Sequence, residues 1–403
     1  MIELESLDKP SLLKRAKAHY FSTGMGDGAA YLARENMKYG LAKIHIAQEK
    51  NGLEPNATFI TTPDETVTRN LARWKAGFGY GGKLEWGSGK DKFIILDSKP
   101  NACGMLVGGL NELPEPSDLI DRIHTARNEL FVDDIPIDWD LSKGNHFIDL
   151  FKVVRRSIDV FIPDYAFIIH GSVSELRGET EKGMGLYFDR SESLREKSKI
   201  IETSLGKMHI LLDSDAVEYY NFYQYADHFA KKKRELVAEA IFGKYHKVVN
   251  ITHQGLLDYN TLLLGCQNVK DPDATMLPIA LRADLPAFLM KGIPNFDEEI
   301  IEGLGFTKRA EKLGVTSRLL NANIIPHGGG YTFKDFINVL EVIEIKNQRY
   351  FILDMQTDVG NKICSDVREM EFDYRGKGVI LRTIELGFGD IMARLIPHYV
   401  LKI

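Results

Sequence analysis

The sequence has only three cysteines in 403 residues, Cys103, Cys266 and Cys364. Three cysteines are too few for the disulfide framework of a secreted protein of this size, so a reduced, intracellular setting is predicted. No apolar run approaches the length that spans a bilayer. The first residues, Met1-Ile-Glu-Leu-Glu, lack the basic and apolar regions of a signal peptide. Together these absences predict a cytoplasmic protein with no membrane partner.

The sequence also has no excess of positive charge. It contains 51 Lys and Arg residues and 57 Asp and Glu residues, for a net charge of −6. The protein as a whole therefore does not attract nucleic acid, and a polyanion would have to be held by a local basic surface. We find no internal repeat, low-complexity tract or linker that would divide the chain. With 44% hydrophobic and 27% charged residues, a single large domain over residues 1–403 is predicted.

Apolar spacing and turn residues predict an α+β fold with central mixed β-sheets and helices outside. Helical spacing covers residues 29–50, and the longest helix is expected over residues 213–243. The motif Thr62-Pro63-Asp64-Glu65 is interpreted as a capping box that begins a helix ending near Gly77. The six glycines of residues 77–89 predict a wide loop. The basic run at residues 231–234 is interpreted as the solvated face of the long helix.

Four histidines share one setting, because each is expected at the edge of an apolar strand and beside Gly, Asn, Ser or Gln. They are His146, His170, His253 and His327. A single histidine in such a place is more often structural, but the repetition favours a common site. With Cys103 they form the nitrogen and sulfur ligand set that binds manganese, zinc or a related divalent ion. The site is therefore expected where strands end. Other histidines, such as His228, fall in helical segments and are interpreted as structural or surface residues.

In the order of its motifs the sequence resembles the RtcB family of RNA-splicing ligases. The family signature Gly-Asn-His-Phe-Ile-Glu is similar to Gly144-Asn145-His146-Phe147-Ile148-Asp149, and its Cys-Gly-Met stands as Cys103-Gly104-Met105. Its His-Ser-Gly-Ser loop resembles His170-Gly171-Ser172, and His253 resembles its single later ligand. Its nucleophile loop, His-Gly-Ala-Gly-Arg, resembles His327-Gly328-Gly329-Gly330-Tyr331. The likeness runs from about Ile94 to the end, so residues 1–90 would be a divergent N-terminal part of one catalytic domain.

The resemblance implies a GTP- and manganese-dependent RNA ligase that joins an RNA 3′-phosphate or 2′,3′-cyclic phosphate end to a 5′-hydroxyl. His327 would attack the α-phosphate of GTP and become guanylated, and the RNA 3′-phosphate would then accept the GMP. The resemblance further implies that Cys103, His146, His170 and His253 bind manganese, or zinc or another divalent ion. It also implies that Asn145 orients a phosphate oxygen and that guanine is contacted by Phe147, Tyr374 and Lys402. We also expect the backbone amides of residues 328–330, including Gly328 and Gly329, to stabilise the charge that develops on the phosphate.

The sequence departs from the family pattern at several positions: the Arg after the His170 loop is displaced to Arg177, the segment between His253 and His327 lacks the family's Arg-Lys-Gly run, and two further departures bear directly on the site. Pro100 stands where the family has a ligand Asp, and Asp97, three residues earlier, is the nearest replacement. Tyr331 stands where the nucleophile loop ends in Arg. One tightly and one weakly held ion, and slow guanylylation, are therefore expected. Two other interpretations stay open: a divergent paralogue that binds metal or nucleotide without ligating, and a metal-dependent phosphoesterase.

Overall fold

The fold is built around a central sheet of eleven strands. The computed structural model describes residues 4–155, 161–356 and 360–401, and over these it is a mixed α+β structure. The helices are α1 Lys9–Ala18, α2 Gly28–Lys50, α3 Leu71–Ala76, α4 Pro116–Glu129, α5 Glu192–Lys197, α6 Asp213–Phe242, α7 Glu298–Gly303, α8 Thr307–Leu313, α9 Thr316–Leu320 and α10 Gly378–Glu385. Short 3-10 turns cover Leu4–Ser6, Leu96–Ser98 and Val367–Glu369.

The strands differ widely in length, from two residues to twelve. They are β1 Tyr20–Phe21, β2 Thr58–Val67, β3 Gly79–Glu85, β4 Phe93–Ile95, β5 Cys103–Leu110, β6 Phe131–Val132, β7 Ile135–Pro136, β8 Phe147–Arg155, β9 Tyr165–Gly171, β10 Lys199–Ile201, β11 Met208–Leu212, β12 His246–Leu256, β13 Thr261–Leu264, β14 Cys266–Asn268, β15 Leu277–Ile279, β16 Ala287–Gly292, β17 Ile324–Pro326, β18 Tyr331–Thr332, β19 Phe336–Ile345, β20 Gln348–Met355, β21 Lys362–Cys364, β22 Asp373–Tyr374 and β23 Gly389–Val400.

The order of strands in the central sheet is β1-β2-β3-β13-β12-β5-β9-β8-β23-β16-β15. Strand β1 is parallel to β2 and the other pairs are antiparallel, so the predicted mixed sheet is confirmed. Strands β12, β5, β9 and β8 are consecutive neighbours in the sheet, although β12 is far from the other three in sequence. This order brings the Cys103, His170 and His253 segments together.

The sheet is buried on both faces, as the alternation of side chains along β5 shows. Met105 and Val107 pack into one apolar cluster together with Ile251 of β12. Leu106 lies in a different cluster with Val237 of helix α6. Each such side chain contributes about 1.5–3 kcal/mol when it is fully removed from water. Apolar side chains that pack on both faces of the sheet thus hold the strands that carry the site.

The structure corrects the expected helix start at Thr62-Pro63-Asp64-Glu65. These residues lie inside β2, and the helix that follows, α3, has only six residues and is capped by Asn70. The β-branched residues of Thr58–Val67 favour a strand, and tertiary partners for the polar side chains override the capping pattern.

The predicted loop at residues 77–89 is also wrong, because most of it forms β3. Gly82 is glycine for a packing reason, since a Cβ there would lie 2.6 Å from the carbonyl oxygen of Ile60 on the neighbouring strand. The glycines that suggested a loop instead allow β2 and β3 to approach closely.

Helices α2 and α6 confirm the expected helices, with Gly243 at the end of α6 in a positive-φ conformation. The interpretation of residues 231–234 as a solvated face is wrong in part, because Lys233 and Arg234 are each only 1% exposed. The Lys233 ammonium lies 2.9 Å from carboxylate oxygens of both Asp140 and Glu175. In the second half of the basic run, Lys233 therefore belongs to a buried ion-pair network, and the buried Arg234 donates to the Asn250 side chain and to two backbone carbonyl oxygens.

Across residues 4–155, 161–356 and 360–401, none of the helices is both long enough and apolar enough to cross a bilayer.

Candidate functional site

Cys103, His170 and His253 form a compact cluster on three neighbouring strands. The Cys103 Sγ atom lies 3.1 Å from His170 Nε2, which in turn lies 3.3 Å from His253 Nε2. All three side chains are buried, and their ligand atoms lie within 4.8 Å of one another. Atoms that share one ion at about 2.0–2.3 Å have this kind of spacing. The cluster could therefore hold a metal ion.

His253 reaches the cluster through an irregularity in its strand. It was expected at a strand end, but it lies within β12, between Thr252, which pairs with Gly104, and Gln254, which pairs with Cys103. His253 is thus the extra residue of a bulge, and bulges redirect side chains near functional sites.

The ring orientation of His170 is set by a backbone contact, since its Nδ1 lies 2.8 Å from the carbonyl oxygen of Asn145. Nδ1 therefore donates its N–H to this carbonyl oxygen, and Nε2 is the ring nitrogen that faces Cys103.

His146 lies beside the cluster rather than in it. Its Nε2 is 3.6 Å from Cys103 Sγ, and its Nδ1 is 3.2 Å from the carbonyl oxygen and 3.3 Å from a carboxylate oxygen of Asp140. Asp140 is in turn held by Lys233. This chain of contacts orients the imidazole towards the thiol, as carboxylates commonly do for metal-ligating histidines.

The electrostatics of the cluster favour a thiolate. Burial alone would raise the pKa of the Cys103 thiol, but positive charge on the neighbouring His170 and His146 imidazoles holds it well below its usual value. Burial also opposes a charged imidazole, yet Cys103 and Asp140 raise the pKa of His146 to about 10. Burial and the nearby His327 lower the pKa of His253 to about 3, so that this ring is neutral and able to ligate.

His327 follows β17 directly and is held by Asp64. Its Nδ1 lies 2.9 Å from Asp64 Oδ2, and the same oxygen accepts the backbone N–H of His327 at 3.3 Å and of Gly328 at 3.2 Å. Thr62 donates to the other carboxylate oxygen at 2.6 Å. Because the carboxylate accepts from Nδ1, the lone pair of the ring lies on Nε2. The His327 ring centroid is 4.4 Å from that of His253.

The glycine run after His327 packs tightly against protein. A Cβ at Gly329 would lie 2.5 Å from the carbonyl oxygen of Arg375, and one at Gly330 would lie 2.2 Å from that of Asp64. Gly330 also has a φ of +65°, which favours glycine. The expected role of the Gly328 amide in binding phosphate is not supported, because this N–H donates to Asp64 instead.

A first chamber of about 240 Å³ brings most of the predicted cofactor-binding residues together. Asn145, Phe147, Gly328, Gly329 and Tyr374 all line it, as do His146, His170 and His327. The predicted contact by Lys402 lies outside the described residues. A second chamber of about 380 Å³ shares Asn145, His146 and Tyr374 with the first and also includes Cys103.

Asp97 does not replace the carboxylate that the family places at Pro100. Its Oδ2 accepts the backbone N–H of His209 at 2.6 Å, and it is not part of the Cys103, His170 and His253 group. Tyr331 packs its ring 5.2 Å from that of Tyr374 and 5.0 Å from that of Phe372.

The sequence interpretation missed Asp64 and Asp140 as site residues. A signal for Asp64 was present, because a carboxylate in a β-branched stretch such as Thr58–Val67 is buried and requires a partner. For Asp140 we find no comparable sequence pattern.

No protein-family model matches the chain, and no curated protein is detectably similar to it. The geometry of the site is therefore what supports a function.

Proposed function

We propose that the protein is a GTP- and divalent-metal-dependent RNA ligase. It would join an RNA 3′-phosphate or 2′,3′-cyclic phosphate end to a 5′-hydroxyl through an intermediate in which His327 is guanylylated. One observation carries the proposal. A histidine held by a buried carboxylate, His327 with Asp64, lies directly beside the candidate metal ligand His253 and lines the same chamber as His170.

The Asp64–His327 pair suits nucleophilic attack on a phosphate. Nε2 of His327 would form a bond to the α-phosphorus of GTP as the bond to the leaving pyrophosphate breaks. The ring becomes positive as this bond forms, and the Asp64 carboxylate at Nδ1 stabilises that charge. Asp64 also holds the backbone of the loop through two N–H groups, so that the ring is positioned before substrate binds.

The cluster of Cys103, His170 and His253, with His146 beside it, fits a divalent ion such as manganese or zinc. The depressed thiol pKa and the neutral His253 ring both favour ligation. A bound ion would offset negative charge on the phosphate oxygens. A second, weaker ion is still expected, because Pro100 supplies no carboxylate and Asp97 is bonded to His209.

The first chamber offers places for the nucleotide. Phe147 and Tyr374 present aromatic rings for guanine, and Asn145 presents a side chain that can orient a phosphate oxygen. In the later steps the RNA 3′-phosphate takes GMP from His327, and the 5′-hydroxyl displaces it. A contact between Lys402 and guanine stays a prediction.

A metal-dependent phosphoesterase is the second candidate. Three ligands from Cys103, His170 and His253 would leave a fourth position on an ion for water, as in catalytic zinc sites. This alternative does not require a guanylylated histidine.

The deciding experiment is guanylylation with GTP labelled at its α-phosphate and manganese, followed by denaturing electrophoresis. Wild type and His228→Ala, a variant in the middle of α6, should take up label, whereas His327→Ala should fold and bind metal but remain unlabelled. RNA carrying a 3′-phosphate is supplied in parallel. Release of inorganic phosphate without label would favour the phosphoesterase, and metal binding with neither reaction would favour the paralogue that does not ligate.

A further inference from the structure

The second chamber is lined by two arginines and by no carboxylate. Arg69 and Arg73 line the second chamber and do not line the first, and none of the residues that line the second chamber is Asp or Glu. The first chamber, by contrast, contains Asp149 in its wall. In a protein with a net charge of −6, a cavity in which two guanidinium groups are set against the single Cys103 thiolate and no carboxylate is a local exception that favours an anionic ligand.

Arg73 provides a fixed charge at this chamber. It is 4% exposed, and its guanidinium donates to the carbonyl oxygens of Ser98 at 2.9 Å and Lys99 at 2.5 Å. Because carbonyl oxygens carry no net charge, these two hydrogen bonds do not neutralise the guanidinium.

Arg69 provides unused donors. Within the part of the chain that the structure describes, its guanidinium makes no hydrogen bond or ion pair, and it lies 3.9 Å from the centre of the Phe372 ring and 5.8 Å from that of Tyr331. An arginine stacked on a ring keeps its edge N–H groups free, and these match the geometry of a phosphate.

The same wall carries an aromatic surface. Tyr331, Phe372 and Tyr374 form a triangle with ring centroids 5.0, 5.2 and 5.7 Å apart, and Phe372 is 39% exposed. Nucleobases of single strands stack on such rings without regard to sequence. Phosphate-binding arginines beside a stacking surface are complementary to a terminal nucleotide.

We infer that the second chamber binds the 3′-phosphate end of a single-stranded RNA. Arg69 and Arg73 hold the terminal phosphate close to Cys103 and His146, and Phe372 stacks on the last base. The identity of the ligand as RNA rests on the proposed ligase function.

Fluorescence anisotropy tests this site without catalysis. Short RNAs labelled at the 5′ end and carrying either a 3′-phosphate or a 3′-hydroxyl are titrated with protein in the presence of EDTA and without GTP. Arg69→Ala should weaken binding of the 3′-phosphate RNA about 10- to 100-fold, since a charge-assisted hydrogen bond is lost, and should remove most of its advantage over the 3′-hydroxyl RNA, because Arg73 still contributes. Phe372→Ala should weaken binding of both RNAs by a similar factor, about 5-fold or more.

Arg127→Ala is the matched control, because this guanidinium lies 5.4 Å from the Trp139 ring and outside both chambers. It should bind both RNAs like wild type. Equal binding of the 3′-phosphate RNA by wild type and Arg69→Ala, equal losses in Arg69→Ala and Arg127→Ala, or displacement of the RNA by GTP would each overturn the inference.

Guanylylation of the same proteins separates this inference from the proposed function. If wild type is labelled by GTP but Arg69→Ala binds RNA normally, the chamber assignment fails and the ligase proposal stands. If wild type takes up no label but binding still depends on Arg69 and on the 3′-phosphate, the ligase proposal fails and the chamber assignment stands.

Discussion

Replacing Asp64 with Asn tests how His327 is held. Asp64 is completely buried, and one of its oxygens accepts from the His327 ring and from two backbone N–H groups. An Asn at this position can keep its oxygen towards the two backbone N–H groups, but it carries no charge. If its NH₂ group faces the ring instead, Nδ1 must accept, and the proton moves to Nε2 where the nucleophilic lone pair is needed.

The size of the effect follows from the contact between Asp64 and the ring. A hydrogen bond to a charged group contributes about 1.5–3 kcal/mol, and about 1.4 kcal/mol corresponds to a factor of ten, so the guanylylation rate should fall roughly 10- to 150-fold. Adoption of the wrong tautomer would lower it further, as in the serine proteases, where replacing the triad Asp with Asn costs about 10⁴-fold. Metal affinity should remain unchanged, because Asp64 contacts none of the three clustered ligands.

Glu65→Gln is the matched control for this variant. Glu65 is equally buried and adjacent in β2, but it accepts from Tyr20 at 2.7 Å and from Thr61 at 2.8 Å and does not contact His327. Single-turnover labelling by GTP and thermal unfolding are measured for both variants. Both should lose stability, but only Asp64→Asn should lose labelling rate. A wild-type labelling rate in Asp64→Asn, or an equal loss in Glu65→Gln, would refute the role given to this carboxylate.

Two further predictions concern buried lysines and are checked by urea unfolding. Lys233→Met should lower the free energy of unfolding by about 3–5 kcal/mol, because Asp140 and Glu175 would keep buried charges without their cation, whereas Lys232→Met, next to it on the surface, should cost less than about 1 kcal/mol. Similar losses in the two variants would contradict the buried network. Burial lowers the pKa of Lys43 to about 8, whereas its pKa in the unfolded chain is 10.5. Below pH 8 the folded protein therefore contains a buried, poorly solvated charge, while the same charge in the unfolded chain is fully solvated. Lys43→Met should therefore stabilise the protein by up to about 3 kcal/mol at pH 7, and the gain should shrink as the pH rises from 8 to 10.5. A gain that does not change with pH would mean that the charge of Lys43 is not its cause.

The elements that the sequence predicts correctly are those in which apolar residues follow a regular spacing or form a continuous run. Helix α6 has apolar residues at helical spacing, and the strand that carries His170 is a short apolar run, so the predictions of the α+β class and of these elements are confirmed. Strands β2 and β3 were missed, because polar Thr, Asp and Glu side chains fill the first and glycines fill the second. Their burial depends on partners that local patterns do not contain.

The same distinction applies to the site. Cys103, His170 and His253 could be selected because each occurs in a recognisable short motif. Asp64 could not be paired with His327, which lies 263 residues further along the chain. Lys233 looked like part of an exposed basic run, since its burial is caused by Asp140 and Glu175 on distant segments. The charge of the second chamber likewise arises from residues brought together only by folding.

The position of β23 in the sheet has a consequence for the order in which the protein can fold. This strand is the last one among the residues that the structure describes, yet it lies between β8 and β16 and pairs with both. During synthesis, the edges of β8 and β16 that pair with β23 therefore have no strand partner until residues 389–400 have left the ribosome. Exposed strand edges of this kind invite pairing with other chains. Nascent or truncated chains that lack β23 should consequently depend on chaperones far more than the finished protein.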